Sequence, residues 1–144
     1  MNVIIACGKK KRTIPSMAYL LYTGSYFALT LQCAKQWTSL DNVYIFSAKY
    51  GVIHSHVIIE PYEQILHQPG AISLNQVRKQ MSDIEGLVCY LGGSGYLSML
   101  RQIRNDVIAP LQNRLTYPRN GLGYQMQQLK RWSVNNENKP YILV

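Results

Sequence analysis

The segment Phe46-Ser47-Ala48-Lys49-Tyr50-Gly51-Val52-Ile53, followed by Ile59-Glu60-Pro61-Tyr62, gathers a hydroxyl, an amine, two phenols and a carboxylate in a short stretch. It starts where an apolar β-branched run, Val43-Tyr44-Ile45-Phe46, ends. Such a run reads as a buried strand. In open α/β sheets, ligands bind outside the carboxyl ends of the strands. Ser47 and Lys49 therefore stand where a hydroxyl and an amine could act on a substrate or hold a phosphate. Glu60 precedes Pro61, which biases it toward extended backbone. A carboxylate fixed in that way suits a general base, or a group that orients a ribose or a base edge. Tyr62 could stack on a base or hydrogen-bond. The ordinary readings are a surface lysine and an ion-paired glutamate.

Four further pieces carry chemistry. Cys7-Gly8-Lys9-Lys10-Lys11-Arg12 follows the first apolar run. Its cations could hold phosphates, Arg12 in bidentate fashion; otherwise it is a solvated basic loop. The spacing excludes a Walker loop. Cys7 reads as a nucleophile or as a small buried residue. Leu21-Tyr22-Thr23-Gly24-Ser25-Tyr26-Phe27 precedes a helix, whose first amides and Ser25 could take an anion. Tyr22 could stack on a base or pack in the core. Leu91-Gly92-Gly93-Ser94-Gly95-Tyr96 is a glycine-rich turn between strand and helix. Gly92, Gly93 and Ser94 could form an anion nest there. Near the end, Gly121 to Trp132 reads as a core helix whose Lys130 and Arg131 extend a basic surface. His54, His56 and His67 lack metal-ligand spacing, an HxH pair with no nearby acid or cysteine set is a weak pattern, and neither a metal nor a cofactor is expected.

The elements that must position these groups follow from pattern. Val3 to Cys7, Val43 to Phe46 and Gly86 to Leu91 read as strands. Helices are predicted from Tyr26 to about Trp37 capped by Ser25, about Leu74 to Met81 capped by Ser73, Tyr96 to about Asn105, and Tyr124 to Trp132. Gly8 to Ser16 is a loop, Gly51 a turn, and Tyr141 to Val144 an apolar tail suited to an edge strand. Strand, loop and helix recur in turn. That order predicts one α/β domain over residues 1–144, with a mostly parallel sheet of about four strands and flanking helices.

The chain has 144 residues and a formal charge of +8. The excess favours a polyanionic partner: DNA, another nucleic acid or a nucleotide. Three cysteines without a CxxC pair argue against a disulfide framework or a structural zinc and for a reducing cytoplasm. The start reads as a first strand and not as a signal peptide. No run approaches a membrane span.

Taken together, C-x-K-K-K, L-Y-T-G-x-x-F, S-A-K-Y-G-V-I, I-E-P-Y, the glycine-rich Tyr turn and G-L-G-x-x-M-x-x-L resemble the DUF6884 family of bacterial and phage proteins, over roughly residues 3–132. The middle motif is also similar to that of the peroxide-stress, DNA-binding YaaA family, where Ser-x-x-Tyr-Gly-Leu precedes a Pro-Tyr pair. The resemblance implies nucleic-acid base modification or phage–host conflict, and a fold similar to uracil-DNA glycosylases. It marks Cys7, Lys9, Lys10, Tyr22, Gly24, Ser47, Lys49, Gly51, Glu60, Pro61 and Tyr62. Gly8 replaces an expected Ser, and Tyr50 stands where members often carry His. A tyrosine keeps the hydrogen bond of that histidine but not its proton transfer near neutral pH.

Three functions are expected in turn. The first is an enzyme acting on a nucleobase or its N-glycosidic bond in DNA. There Lys9, Lys10, Lys11, Arg12, Ser25, Gly92, Gly93 and Ser94 hold phosphates, Tyr22 and Tyr62 stack the base, and Glu60, Lys49 and Ser47 do the chemistry. The second is a DNA-binding module without catalysis, and the third a nucleotide or nucleoside transferase.

Overall fold

Val3-Ile4-Ile5-Ala6 and Val43-Tyr44-Ile45-Phe46 are apolar along their length, so strands built from them need cover on both faces. In the computed structural model, which describes residues 1–112 and 121–134, both runs form central strands. In chain order the elements are β1 (Asn2–Ala6), β2 (Ser16–Met17), α1 (Ala18–Leu21), α2 (Ser25–Trp37), a 3₁₀ turn (Leu40–Asn42), β3 (Val43–Ser47), β4 (Gly51–His54), β5 (Ile58–Ile59), α3 (Leu74–Met81), β6 (Val88–Leu91), α4 (Ser94–Ile103) and α5 (Leu122–Val134). The main sheet has the order β4-β3-β1-β6. β1 runs parallel to both β3 and β6, and β4 is antiparallel to β3. β2 and β5 make a separate two-stranded ribbon. No helix among the described residues is long and apolar enough to cross a membrane.

Alternation splits the core in two. Val3, Ile5, Val43, Ile45, Cys89 and Leu91 pack on one face with α2 and α5. Ile4, Ala6, Phe46, Val52 and Tyr90 pack on the other with α3 and α4. α5 is tied to α2 by the Cys33 thiol, which donates to the Leu129 carbonyl at 3.0 Å, and by the Trp37 and Trp132 rings, 5.7 Å apart. Burial pushes the Cys33 thiol up to about 12, so it stays neutral and inert. The strand order reverses at β1: the chain leaves it toward β3 and returns to its other side as β6. The crevice at that reversal, at the carboxyl ends of β1 and β6, is where this architecture binds ligands.

The predicted α/β domain with a mostly parallel sheet is what the structure shows. Helix α3 matches its predicted bounds, because Ser73 and Gln76 form a reciprocal capping box. Other expectations need correction. Gly24 is the N-cap of α2, so Ser25 belongs to the first turn and makes no side-chain cap. α4 starts at Ser94, two residues earlier than expected, with Gly93 as N-cap. Gly51, expected in a turn, opens an antiparallel edge strand with φ +79°. Residues 16–21, read partly as loop, contain β2 and α1. The segment around Ile108 lies along β6, exchanging Tyr90 N–H to Ile108 C=O at 2.7 Å and Ile108 N–H to Val88 C=O at 2.9 Å. The expected edge strand at Tyr141–Val144 lies outside the described residues.

Gln80 on α3 braces the hairpin that leads out of the candidate site. Its Oε1 accepts from Val52 N–H at 2.8 Å, and its Nε2 donates to Tyr50 C=O at 2.9 Å. Gln80→Ala leaves both backbone groups without these partners. It should cost about 1–3 kcal/mol, read as a lower urea midpoint with unchanged slope. An unaltered midpoint would contradict the brace.

Candidate functional site

The carboxyl ends of three adjacent strands bring the sequence motifs to one edge. β1 runs into Cys7 and Gly8, β3 ends at Ser47, and β6 runs into Gly92 and Gly93. Cys7 N–H continues the ladder to Phe46 C=O at 2.9 Å. The Cys7 thiol lies 3.0 Å from the Tyr96 hydroxyl, across the crevice between β1 and β6. Gly92 is buried, and an added Cβ would lie 2.6 Å from Ala6 Cβ and against the Tyr90 ring. Glycine is thus required here by packing. Its carbonyl accepts from Gln112 Nε2 at 2.6 Å, and the Gly93 carbonyl accepts from the Tyr90 hydroxyl at 2.7 Å. Gly93, Ser94 and Gly95 of this turn are exposed.

Ser47 is fully buried, and its Oγ is the hub of a hydroxyl relay. It accepts from the amides of Lys49 and Tyr50 at 3.1 and 3.0 Å and donates to Tyr62 Oη at 2.7 Å. Tyr62 and Tyr22 share a further bond at 2.6 Å. The three hydroxyls carry three protons, and the two links between them use two. One phenolic O–H is therefore left without an acceptor among the described residues. Tyr22 and Tyr62 are 5% and 9% exposed. The Tyr62 ring meets Tyr50 edge-on at 5.4 Å, and Tyr22 packs on Phe27 at 4.9 Å. The base-stacking role expected of Tyr22 and Tyr62 thus meets rings that are largely covered, and what joins the pair is their hydroxyls.

The basic loop is held against this relay. Arg12 N–H bonds Leu21 C=O at 2.8 Å, and Thr23 N–H bonds Lys10 C=O at 3.0 Å. Lys11 is thereby set over the Tyr62 ring at 4.5 Å and the Tyr22 ring at 5.7 Å. Lys49 lies 5.2 Å from the centre of the Tyr50 ring, which itself meets Tyr62. An open cleft of about 430 Å³ runs along the loop, lined by Lys9, Lys11, Arg12, Thr13, Pro61, Tyr62 and Glu63.

The structure thus gathers Lys9, Lys11, Arg12 and Tyr62 in one cleft, with Tyr22 and Ser47 bonded behind them. Lys10 is exposed beside it but does not line it. Ser25 and Ser94 are exposed in the first turns of α2 and α4. Glu60 is exposed, outside the cleft lining, and makes no hydrogen bond or ion pair among the described residues. The acid that lines the cleft is Glu63, which sequence reasoning missed. Its only signal was its place one residue after the Pro-Tyr pair. Tyr96 was also missed as the partner of Cys7. Far from this edge, the fold brings Asp41 to His54 and His56, with ligating atoms within 4.8 Å of one another. The premise that no acid stands near that histidine pair does not hold.

Tyr22, Tyr62, Tyr90 and Tyr96 are all held well above the usual tyrosine range, first by burial and further by the nearby Cys7. An unfolded tyrosine ionises near pH ~10. Above that pH the unfolded chain releases protons that the folded chain retains, so stability is complete below pH ~10 and falls as pH rises toward the folded values. Alkaline titration should show these four tyrosinates only together with loss of the near-UV CD signal. Their ionisation in an intact fold would contradict the burial.

The profile of a family of unknown function, DUF6884, matches residues 3–131. No curated protein and no solved structure matches. The matched span runs from β1 through most of α5 and contains Cys7, the basic loop, the Ser47–Tyr62 relay and the glycine-rich turn. On that extent, the chain belongs to the DUF6884 family.

Proposed function

We propose that the protein binds nucleic acid, DNA foremost, by its phosphates at the carboxyl edge of the sheet, and acts there on a nucleobase or its N-glycosidic bond. The observation that carries this reading is the meeting of Lys9, Lys11 and Arg12 with a buried relay that has a hydroxyl proton to give. Cations neutralise phosphate charge, and a preorganised phenol donates to an oxyanion without reorganising water. Cleavage of the glycosidic bond would join water oxygen to the sugar C1′ and release the base with a proton. A carboxylate on the Glu60–Glu63 loop is suited to take the proton of that water. A base in a duplex would have to be flipped out to reach this edge.

Kinship with the YaaA family is part of the proposal. The shared elements, Ser47 with Tyr50-Gly51 and Pro61 with Tyr62, are distant in sequence but joined here by the Ser47–Tyr62 bond. Three free cysteines fit a reducing cytoplasm. The second reading, a binding module without catalysis, is favoured by the covered faces of Tyr22 and Tyr62.

The test is incubation with a panel of unmodified and modified DNAs, followed by mass spectrometry for released bases and abasic sites. Release that is lost in Glu60→Gln or Glu63→Gln, with DNA still bound, supports a glycosidic-bond enzyme and names its carboxylate. No release, with salt-sensitive retention of the DNA, supports the binding module. In either case Lys9, Lys10 and Lys11 changed together to Ala should weaken binding of every sequence alike. The slope of log affinity against log salt should become shallower by about 2–3. An unchanged slope would remove the loop from the phosphate surface.

A further inference from the structure

At the opposite end of the sheet, β4 closes on His54, which pairs with Tyr44 near the start of β3. The next turn carries His56. The two imidazoles stack with their planes inclined by 30° and centroids 5.2 Å apart. Tyr44 packs edge-on against His54 at 5.5 Å, and Tyr19 against His56 at 5.6 Å. The turn between them is fixed by Ser55, which is fully buried. Its amide donates to Val43 C=O at 3.0 Å and its hydroxyl to Leu40 C=O at 2.7 Å, while its carbonyl accepts from Tyr19 N–H at 3.1 Å. These bonds tie the turn to the 3₁₀ turn that carries Asp41. Asp41 Oδ1 lies 4.0 Å from His56 Nδ1.

We propose that Asp41, His54 and His56 form a binding site for a divalent transition-metal ion of the zinc class. The donor set is two imidazoles and one carboxylate, with ligating atoms within 4.8 Å of one another. Imidazole suits zinc, cobalt, nickel and copper, whereas magnesium and calcium ask for oxygen ligands throughout. Bonds of ~2.0–2.1 Å to a tetrahedral ion would bring the ligand atoms to roughly 3.3 Å from one another. The exposed side chains of Asp41 and His56 are free to close that gap.

The tautomer of His54 fits a ligand. Its Nδ1 accepts from His56 N–H at 3.2 Å, so Nδ1 carries a lone pair and Nε2 carries the proton. Nε2 lies 2.9 Å from Asp41 C=O, to which it donates in that tautomer. Metal-bound histidines are oriented in this manner, one nitrogen on the ion and the other N–H on a carbonyl. Loading the site would replace the 3.2 Å contact from His56 N–H and, for an ion on His56 Nδ1, the 3.4 Å contact of that nitrogen with Ser55 Oγ. Three protein ligands leave a fourth position to water. The ion would clamp the 3₁₀ turn to the β3–β4 hairpin, independently of any nucleic acid at the other edge.

The test uses tag-free full-length protein, titrated with Zn²⁺ by calorimetry and with Co²⁺ by visible absorption. The expected result is saturable binding of one ion per chain, and a thermal midpoint that rises with Zn²⁺. His54→Ala and His56→Ala should each weaken binding at least tenfold, Asp41→Asn should weaken it, and excess Mg²⁺ or Ca²⁺ should not compete. The exposed His56 gives a variant that should fold even if His54→Ala does not. No saturable binding, binding that survives His56→Ala, or binding lost in Cys7→Ser would each overturn the proposal.

Discussion

The Ser47 hydroxyl sits fully buried at the end of a central strand, where an unsatisfied polar group costs about 1–3 kcal/mol. It satisfies itself three times, with two backbone amides and the Tyr62 phenol. The amide bonds shape the turn from β3 into β4 and so decide where Lys49 and Tyr50 stand. The phenol bond draws the Pro61–Glu63 loop over the sheet edge. Tyr62 in turn holds Tyr22, and the backbone on either side of Tyr22 holds the basic loop. One hydroxyl thereby couples three sequence motifs that have no local reason to meet.

That coupling explains what was legible in the sequence. The strands around Ile4 and Ile45 and the helix after Ser73 are specified by neighbouring residues, through burial on both faces and a capping box. They could be read directly. β4 could not: its four residues start at a glycine with positive φ, and its hydrogen-bond partners on Gln80 lie on another element. The ribbon of β2 and β5 is only two residues deep on each side, too short for any alternation to register.

The candidate site shows the same division. Its residue types were visible in Cys7, Lys9 to Arg12, Ser47 and Tyr62, because glycine, cations and phenols cluster where apolar runs stop. Their roles were less so. Tyr22 and Tyr62 look like stacking residues in a linear reading, and only the fold shows their hydroxyls bonded at 2.6 Å and their rings covered. Glu60 drew attention because Pro61 constrains it, yet the cleft is lined by Glu63. Asp41 and the histidine pair share the other end of the sheet, joined by a turn whose bonds no spacing rule anticipates.

The proposed function turns on ligand binding at the carboxyl edge of the sheet, along the basic loop that follows β1. Amide chemical-shift mapping of the isotope-labelled protein, titrated with a short single-stranded DNA, tests it most directly. Saturable shifts are expected at Cys7 to Thr13, Gly24 to Tyr26, Tyr62 to Glu63 and Gly93 to Tyr96. Shifts confined to another surface, such as the depression lined by Arg101 to Asp106, or no shifts at all, would contradict it.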